Sequence, residues 1–227
     1  MARKPKKGVP SRVPLSRERV LRAAIALADE SGIESVSMRR LGRELGVEAM
    51  SLYRHVANRD EVLNGIIEMV ISEVEVPAQG AEWKQAMRRR ALSAREMLLR
   101  HSWASALSES LSSFGPARLR YADAIIGCMR EAGFPIASAY NAFLTLDSYV
   151  FGFSLQEVSW PSGCAQTPQE AAVSFQAQFP PEAYPHLAEM TEFYGSRNGA
   201  PDYSTQFEFG LNLILDGLEK LRGPSPD

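Results

Sequence analysis

Two cysteines and three histidines are all the thiols and imidazoles in this 227-residue chain. Cys128 and Cys164 are too few for a disulfide framework and form no paired motif, so they read as buried or incidental thiols. His55, His101 and His186 have no metal-ligand spacing with Cys, Asp or Glu, so no metal is expected. A Gly-rich phosphate loop and a nucleophile elbow are both missing, which argues against an enzyme and against a bound cofactor. No apolar run approaches the ~18 residues of a membrane span, and no apolar stretch follows the basic first residues as in a signal peptide. Strand-like alternation is also lacking. These absences leave an all-α chain, expected to be soluble and cytoplasmic without membrane contact.

Charge is present but unevenly placed. Lys and Arg number 25 against 27 Asp and Glu, a net charge of −2. Residues 1–59 hold 13 basic and 6 acidic side chains, a balance of +7, and the remainder holds 12 against 21, a balance of −9. Residues 1–15, with Arg3, Lys4, Lys6, Lys7 and Arg12 among Pro and Gly, read as a flexible basic arm. Such an arm suits a DNA backbone or minor groove, and is equally common as a solvated tail. Counterion release makes a basic face a large term in DNA affinity.

Residues 37–56 read as two short helices about a glycine. Ser37 is an N-cap, Met38, Leu41 and Leu45 share one face, and Gly46 supplies the left-handed residue that stops the first helix. Ala49, Leu52, Tyr53 and Val56 follow at i, i+3, i+4 and i+7. This is a helix-turn-helix pattern, whose second helix can enter a major groove. Before it, Ser16 caps a helix with the stripe Leu21, Ala24, Ile25 and Ala28, closed by Gly32. After it, Asn58-Arg59-Asp60-Glu61 resembles a capping box. Leu63, Ile66, Ile67, Val70, Ile71 and Val74 then continue a connecting helix over 59–76 that Pro77 stops. Residues 16–76 form a headpiece of three short helices and this longer one.

Residues 77–222 read as a larger helical domain, with 223–227 as a tail. Helices are expected over Trp83 to Arg100, Trp103 to Ser112, Pro116 to Ala132, Ser138 to Val158, Glu182 to Tyr194 and Tyr203 to Leu221. Ser159 to Pro181 holds four prolines and reads as a long surface loop with at most a helical turn. The helices around 138–155 and 203–221 are apolar on more than one side, which asks for cover on both sides; a second subunit is the simplest second cover.

From Val20 to Val70 the chain resembles the DNA-binding domain of the tetracycline-repressor (TetR) family of bacterial transcription regulators. The likeness rests on Ala23, Ala24 and Leu27, on Gly32-Ile33-Glu34, on Ser37-Met38-Arg39-Arg40-Leu41, and on Leu45-Gly46-Val47. Leu52-Tyr53-Arg54-His55-Val56 and Asn58-Arg59-Asp60 complete it. A weaker likeness, to the branch holding the tetracycline repressors themselves, runs through Trp83, His101, Gly133-Phe134, Phe151-Gly152, Phe209-Gly210-Leu211 and Gly217-Leu218-Glu219-Lys220.

The resemblance implies a homodimer on a palindromic double-stranded operator, with a small-molecule effector in the second domain. It also implies repression, relieved when the effector tilts the connecting helix and changes the recognition-helix separation. Tyr53 and His55 would donate to phosphates, Ser37, Arg39 and Arg59 would anchor flanking phosphates, and Arg54 lies in the same segment. Arg39 could also read a guanine edge. Ala49, Met50 and Ser51 would face base edges. The tetracycline repressors carry a polar amide and a proline at the first two of these, so the operator should differ.

Aromatic and methionine content between Met97 and Phe153 suits an aromatic or polycyclic effector, with Trp103, Leu107, Leu111, Phe114, Met129 and Phe143 as candidate lining. Ser148-Tyr149 and Gln156 stand where a tetracycline repressor's metal-chelate histidine and glutamate would fall, although Glu157 is adjacent. A metal-independent, largely apolar effector is therefore expected. A ligand-free architectural DNA binder and a small all-α enzyme are the alternatives; the aromatic second domain counts against the former.

Overall fold

Ser16 starts the first helix as its side chain predicts: its hydroxyl accepts the Arg19 amide at 3.2 Å, one of the four donors a helix start leaves free. In this computed structural model, residues 14–111, 114–159, 168–196 and 203–222 are described. The basic-arm residues 1–13, the tail 223–227, residues 160–167 and Cys164 lie outside them. Helix α1 (Arg17–Ser31) turns Val20, Leu21, Ala24, Leu27 and Ala28 inward. After one 3₁₀ turn come α2 (Met38–Leu45), α3 (Ala49–Leu52) and α4 (Arg59–Ile71). The second domain is α5 (Trp83–Arg100), α6 (Ala104–Ser110), α7 (Pro116–Glu131), α8 (Ile136–Ser159), α9 (Pro168–Gln176), α10 (Pro185–Gly195) and α11 (Tyr203–Glu219). No strand occurs among the described residues.

Helix α4 joins the two parts of the core. Val62, Leu63, Ile66, Ile67, Val70 and Ile71 are all buried, and α4 packs on α1 on one side and on α5, α6 and α7 on the other. A fully buried aliphatic side chain contributes about 1.5–3 kcal/mol relative to exposure, so this helix is a main tie between the domains. In the second domain α8 lies against α5, α7 and α11.

Two expectations are corrected. The connecting helix stops at Ile71 rather than 76: Glu73 and Val74 donate to Val70 and Ile71, the tighter i→i−3 pattern of a fraying end, and Pro77 disfavours helix just before it. The segment 159–181 is not loop throughout. Residues 168–176 form α9, because Pro168 stands at its first position, where a proline lacks nothing, and Pro180 and Pro181 fall beyond its end. Phe175 packs edge-on to Phe179 at 5.4 Å, and α9 and α10 pack mainly on each other.

Candidate nucleic-acid interface and its coupling to the second domain

Ser37 accepts the Arg40 amide at 3.3 Å and starts α2. Gly46, left-handed at φ 65° and ψ 35°, ends it by returning its N–H to the Arg43 and Gly42 carbonyls. Gly42 sets how closely α3 approaches. A Cβ there would stand 2.9 Å from the Val47 carbonyl oxygen and 3.2 Å from the Ala49 nitrogen. Leu41, Leu52 and Val56 close the core beneath.

The outward surface of this unit is open. Met50 is 73% exposed and Tyr53 46%, Ser37, Arg39 and Arg54 are exposed, and Ala49, Ser51 and His55 are half-buried. Met50 stands beside the exposed Tyr53 and Arg54, while Leu52 and Val56 of the same segment are buried. Five of the nine residues expected at DNA lie at the α2 start and on α3. Tyr53, Arg54 and His55 follow in the turn after α3, which ends at Leu52 rather than running on to Val56 as the spacing predicts.

Arg59 is the ninth, and it also makes contacts within the headpiece. Its Nε donates to the Val36 carbonyl at 2.7 Å, its Nη2 to the Ile33 carbonyl at 3.4 Å, and Glu34 lies 3.9 Å away. The guanidinium is turned onto the segment before α2, so Arg59 ties the start of α4 to the helix-turn-helix while 38% of its side chain stays exposed.

The entry to α4 is held by a variant of the capping box. Asn58 Oδ1 accepts the Glu61 amide at 2.8 Å, while Glu61 Oε2 accepts the amide of Ala57, one residue earlier than the cap itself, at 2.6 Å. Arg17 of α1 donates to Glu61 Oε1 at 3.1 Å. The Ala57 amide, then Arg17, hold the Glu61 carboxyl below the ordinary glutamate value.

Several carboxylates of the headpiece reach into the second domain. Asp29 Oδ1, on α1, lies 2.8 Å from His101 Nδ1 and accepts the Trp103 indole N–H at 2.7 Å, both from the α5–α6 turn. Glu73 adds an ion pair with Arg100 at 2.9 Å. Glu68, on α4, accepts the Ala117 amide at 2.6 Å at the start of α7, with Arg118 Nε 3.6 Å from its other oxygen. A carboxylate at the N-terminus of a sixteen-residue helix meets the positive end of its dipole. Gly115 leaves room for that carboxylate, which a Cβ at this position would displace. Beside it runs an open groove of about 570 Å³, lined by α4 residues such as Asn64, Met69 and Ser72 and by Phe114, Pro116 and Arg120.

Residues 76–222 match the tetracyclin repressor-like C-terminal domain, and residues 20–66 match the bacterial regulatory proteins of the tetR family. The chain belongs to the TetR family. It is a regulator with a helix-turn-helix DNA-binding domain and a helical second domain. The HTH-type transcriptional repressor DrrR1 of Streptomyces coeruleorubidus is 31% identical over 224 residues, covering 93% of this chain and 81% of that protein. The class C tetracycline repressor protein of Escherichia coli is 26% identical over 211 residues, 92% of each chain. The crystal structure of the TetR family protein ActR of Streptomyces coelicolor in complex with actinorhodin superposes with a TM-score of 0.74 at 27% identity, covering 93% of this chain and all of ActR.

Within this TetR-family second domain, the six residues expected to line a pocket differ in exposure: Trp103, Leu107 and Met129 belong to the core, Leu111 and Phe143 pack against it, and Phe114 is open. Trp103 and Leu107 are buried at the α6 contact with the headpiece. Phe114 is 70% exposed on the rim of the open groove, with the Arg118 guanidinium 4.7 Å from its ring. Leu111 is half-buried, Met129 is wholly buried in α7, and Phe143 of α8 lies edge-on to Tyr121 at 6.4 Å. At the positions compared with the tetracycline repressors, Tyr149 donates its hydroxyl to the Phe207 carbonyl at 2.8 Å. Glu157 is taken up by a two-point ion pair with Arg95 at 2.6 and 2.9 Å.

Sequence reading missed Asp29, Glu68 and Arg90. Asp29 and Glu68 look like ordinary solvated acids on their helices, and nothing local predicts a partner 72 or 49 residues away. Arg90 carried a signal. It falls on the stripe Trp83, Ala86, Met87, Ala91, Ala94, where every other position is apolar and buried.

Proposed function

We propose that this chain is a homodimeric repressor that binds a palindromic operator through α2 and α3 and leaves it when an aromatic effector enters the second domain. The observation that carries the DNA half is the exposed surface of Met50, Tyr53, Arg39 and Arg54 on a helix-turn-helix whose other face is closed. Ser37, Arg39, Tyr53, Arg54 and His55 would meet phosphates and set register, with Arg39 also in reach of a guanine edge. Ala49, Met50 and Ser51 offer methyl groups and one hydroxyl, a surface suited to thymine methyls.

Dimerisation is supported by two open apolar stripes. Ile136, Tyr140, Leu144 and Leu155 are exposed along α8, and Phe209 and Leu213 along α11. Gly152 and Gly217 on the same helices would each meet nothing within 4 Å if given a Cβ, which leaves room for a close helix. An apolar surface of this kind on a soluble chain marks an interface, and a two-fold pair would match the half-sites of a palindrome.

An effector without metal is favoured because Glu157 is occupied by Arg95, and Ser148 and Gln156 offer Mg²⁺ no carboxylate. The polar links from Asp29 and Glu68 give a route by which a shift of α6 or α7 moves α1 and α4, and hence α3.

Selection from random duplex DNA with the purified chain at moderate salt tests the reading. The expected result is one palindromic motif, with binding that falls steeply as salt rises. Tyr53→Phe should weaken all sequences alike, and Met50→Ala should change the selected bases. Recovery of no enriched motif would overturn the proposal.

A further inference from the structure

Helix α5 carries three consecutive arginines, and the third turns inward. Arg90 is 0% exposed. Its Nη1 donates to Asp147 Oδ1 of α8 at 2.7 Å, and the same oxygen accepts the hydroxyl of Tyr121, from α7, at 3.1 Å. The guanidinium carbon lies 5.4 Å from the centre of the Tyr121 ring. Burial pushes the Tyr121 hydroxyl far above its ordinary range, so it stays protonated. The remaining donors of Arg90, on Nε and Nη2, have neither a partner nor solvent.

Those two nitrogens are one side of the guanidinium fork, the side whose parallel N–H bonds match the two oxygens of a carboxylate. Leaving a buried charged donor empty forfeits its hydration with nothing in return, and unsatisfied groups in native folds call for an explanation. Two features point to a ligand rather than to a packing defect. Asp147 keeps 21% of its side chain exposed, so the cluster has one edge on solvent. Ser154, seven residues along the same face of α8, holds a second buried hydroxyl with no partner, about 10 Å further along the seam.

We propose that Arg90 is the anchor for a carboxylate on the effector, received by Nε and Nη2 while Asp147 holds Nη1, with the Tyr121 and Phe143 rings beside the aromatic body. The inference rests on the reading of the second domain as effector-binding, and narrows the effector to an aromatic acid. Since the free donors have no solvent, admitting the acid must part α5 from α7 and α8. The first turn of α7 is bonded to Glu68 of α4, so that parting pulls on the connecting helix. An anion at Arg90 is thereby coupled to the headpiece through one hydrogen-bonded contact.

Calorimetric titration of the full-length protein without DNA tests it, with anthraquinone-2-carboxylate and its neutral carboxamide as probes. The acid should bind at least about tenfold more tightly than the amide, and Arg90→Gln should bring the two within about twofold. The paired substitution Arg90→Met with Asp147→Leu removes both charges together, so that neither is left buried and unpaired, and should also abolish the preference. Equal binding of acid and amide, binding of neither, or a preference surviving in Arg90→Gln would overturn the proposal. No DNA is present, so loss of operator selection elsewhere leaves this result unaffected.

Discussion

In the headpiece, Leu21, Leu41, Leu52 and Ile66 are closed from solvent, whereas α8 and α11 of the second domain leave Tyr140, Leu144, Phe209 and Leu213 open. The headpiece completes its own core and turns a polar and methionine surface outward. The second domain buries Met87, Ile125, Leu146 and Phe207 but leaves apolar stripes of α8 and α11 open. Their electrostatics differ in the same sense: the headpiece holds its segments with Arg59 and Glu61 against backbone groups, while the second domain keeps a buried Arg90 with two donors unused. The contrast teaches that one part is built to present a fixed shape and the other to accept partners.

The largest expected effect comes from breaking the open half. Leu213→Glu puts a charge on a residue that is 60% exposed in the single chain. The monomer should therefore keep its helicity by circular dichroism while sedimentation shows the dimer lost. Operator affinity should fall by about a hundredfold or more, because two linked headpieces bind far more tightly than one. A dimer that persists would show that α11 faces no partner.

Next is the closed half. Gly42→Ala drives a methyl into the Val47 carbonyl and the Ala49 amide, which are backbone and cannot swing away. A loss of about 1–3 kcal/mol of stability is expected from such overpacking, measured by urea denaturation, together with weaker operator binding. Sedimentation should be unchanged, the converse of Leu213→Glu.

Between the halves, Asp29→Ala removes the acceptor shared by His101 and Trp103. Leaving the buried indole N–H without a partner should cost about 1–3 kcal/mol. The sharper readout is coupling: effector and operator should compete less strongly than in the unmodified protein.

The smallest effect is one of pH. Glu61 is held below its ordinary value by the Ala57 amide first and Arg17 second. Its contribution is therefore present above the ordinary glutamate value and lost as pH falls through the lowered one. Thermal melts from neutral to acid pH should show Glu61→Gln less stable at neutral pH, the gap closing in acid. A gap constant with pH would assign the loss to packing.

Much of the headpiece was legible because its signals are local. Ser16, Ser37 and Asn58 cap the helices that follow them, and Gly46 takes the left-handed turn; in the second domain α5 likewise begins and ends at Trp83 and Arg100 as its periodicity requires. Failures came where a local signal has two readings. Pro168 marks a break by composition, yet it is also the residue best suited to start a helix. Contacts distant in sequence were not legible either: only the fold brings the Val36 and Ile33 carbonyls to the Arg59 guanidinium. The junction was beyond sequence, since Asp29 and Glu68 differ from solvated acids only by what lies across the interface.

Trp103 shares its indole proton with Asp29, so the chain carries a native optical gauge of its own hinge. With Trp83 and Trp160 changed to phenylalanine, the remaining indole emits from a buried site whose one strong acceptor belongs to the headpiece. Any rotation that lifts α1 off the α5–α6 turn would let water replace that carboxylate, shifting the emission to longer wavelength. Stopped-flow mixing could then time the departure from DNA against the motion itself, in one unlabelled molecule.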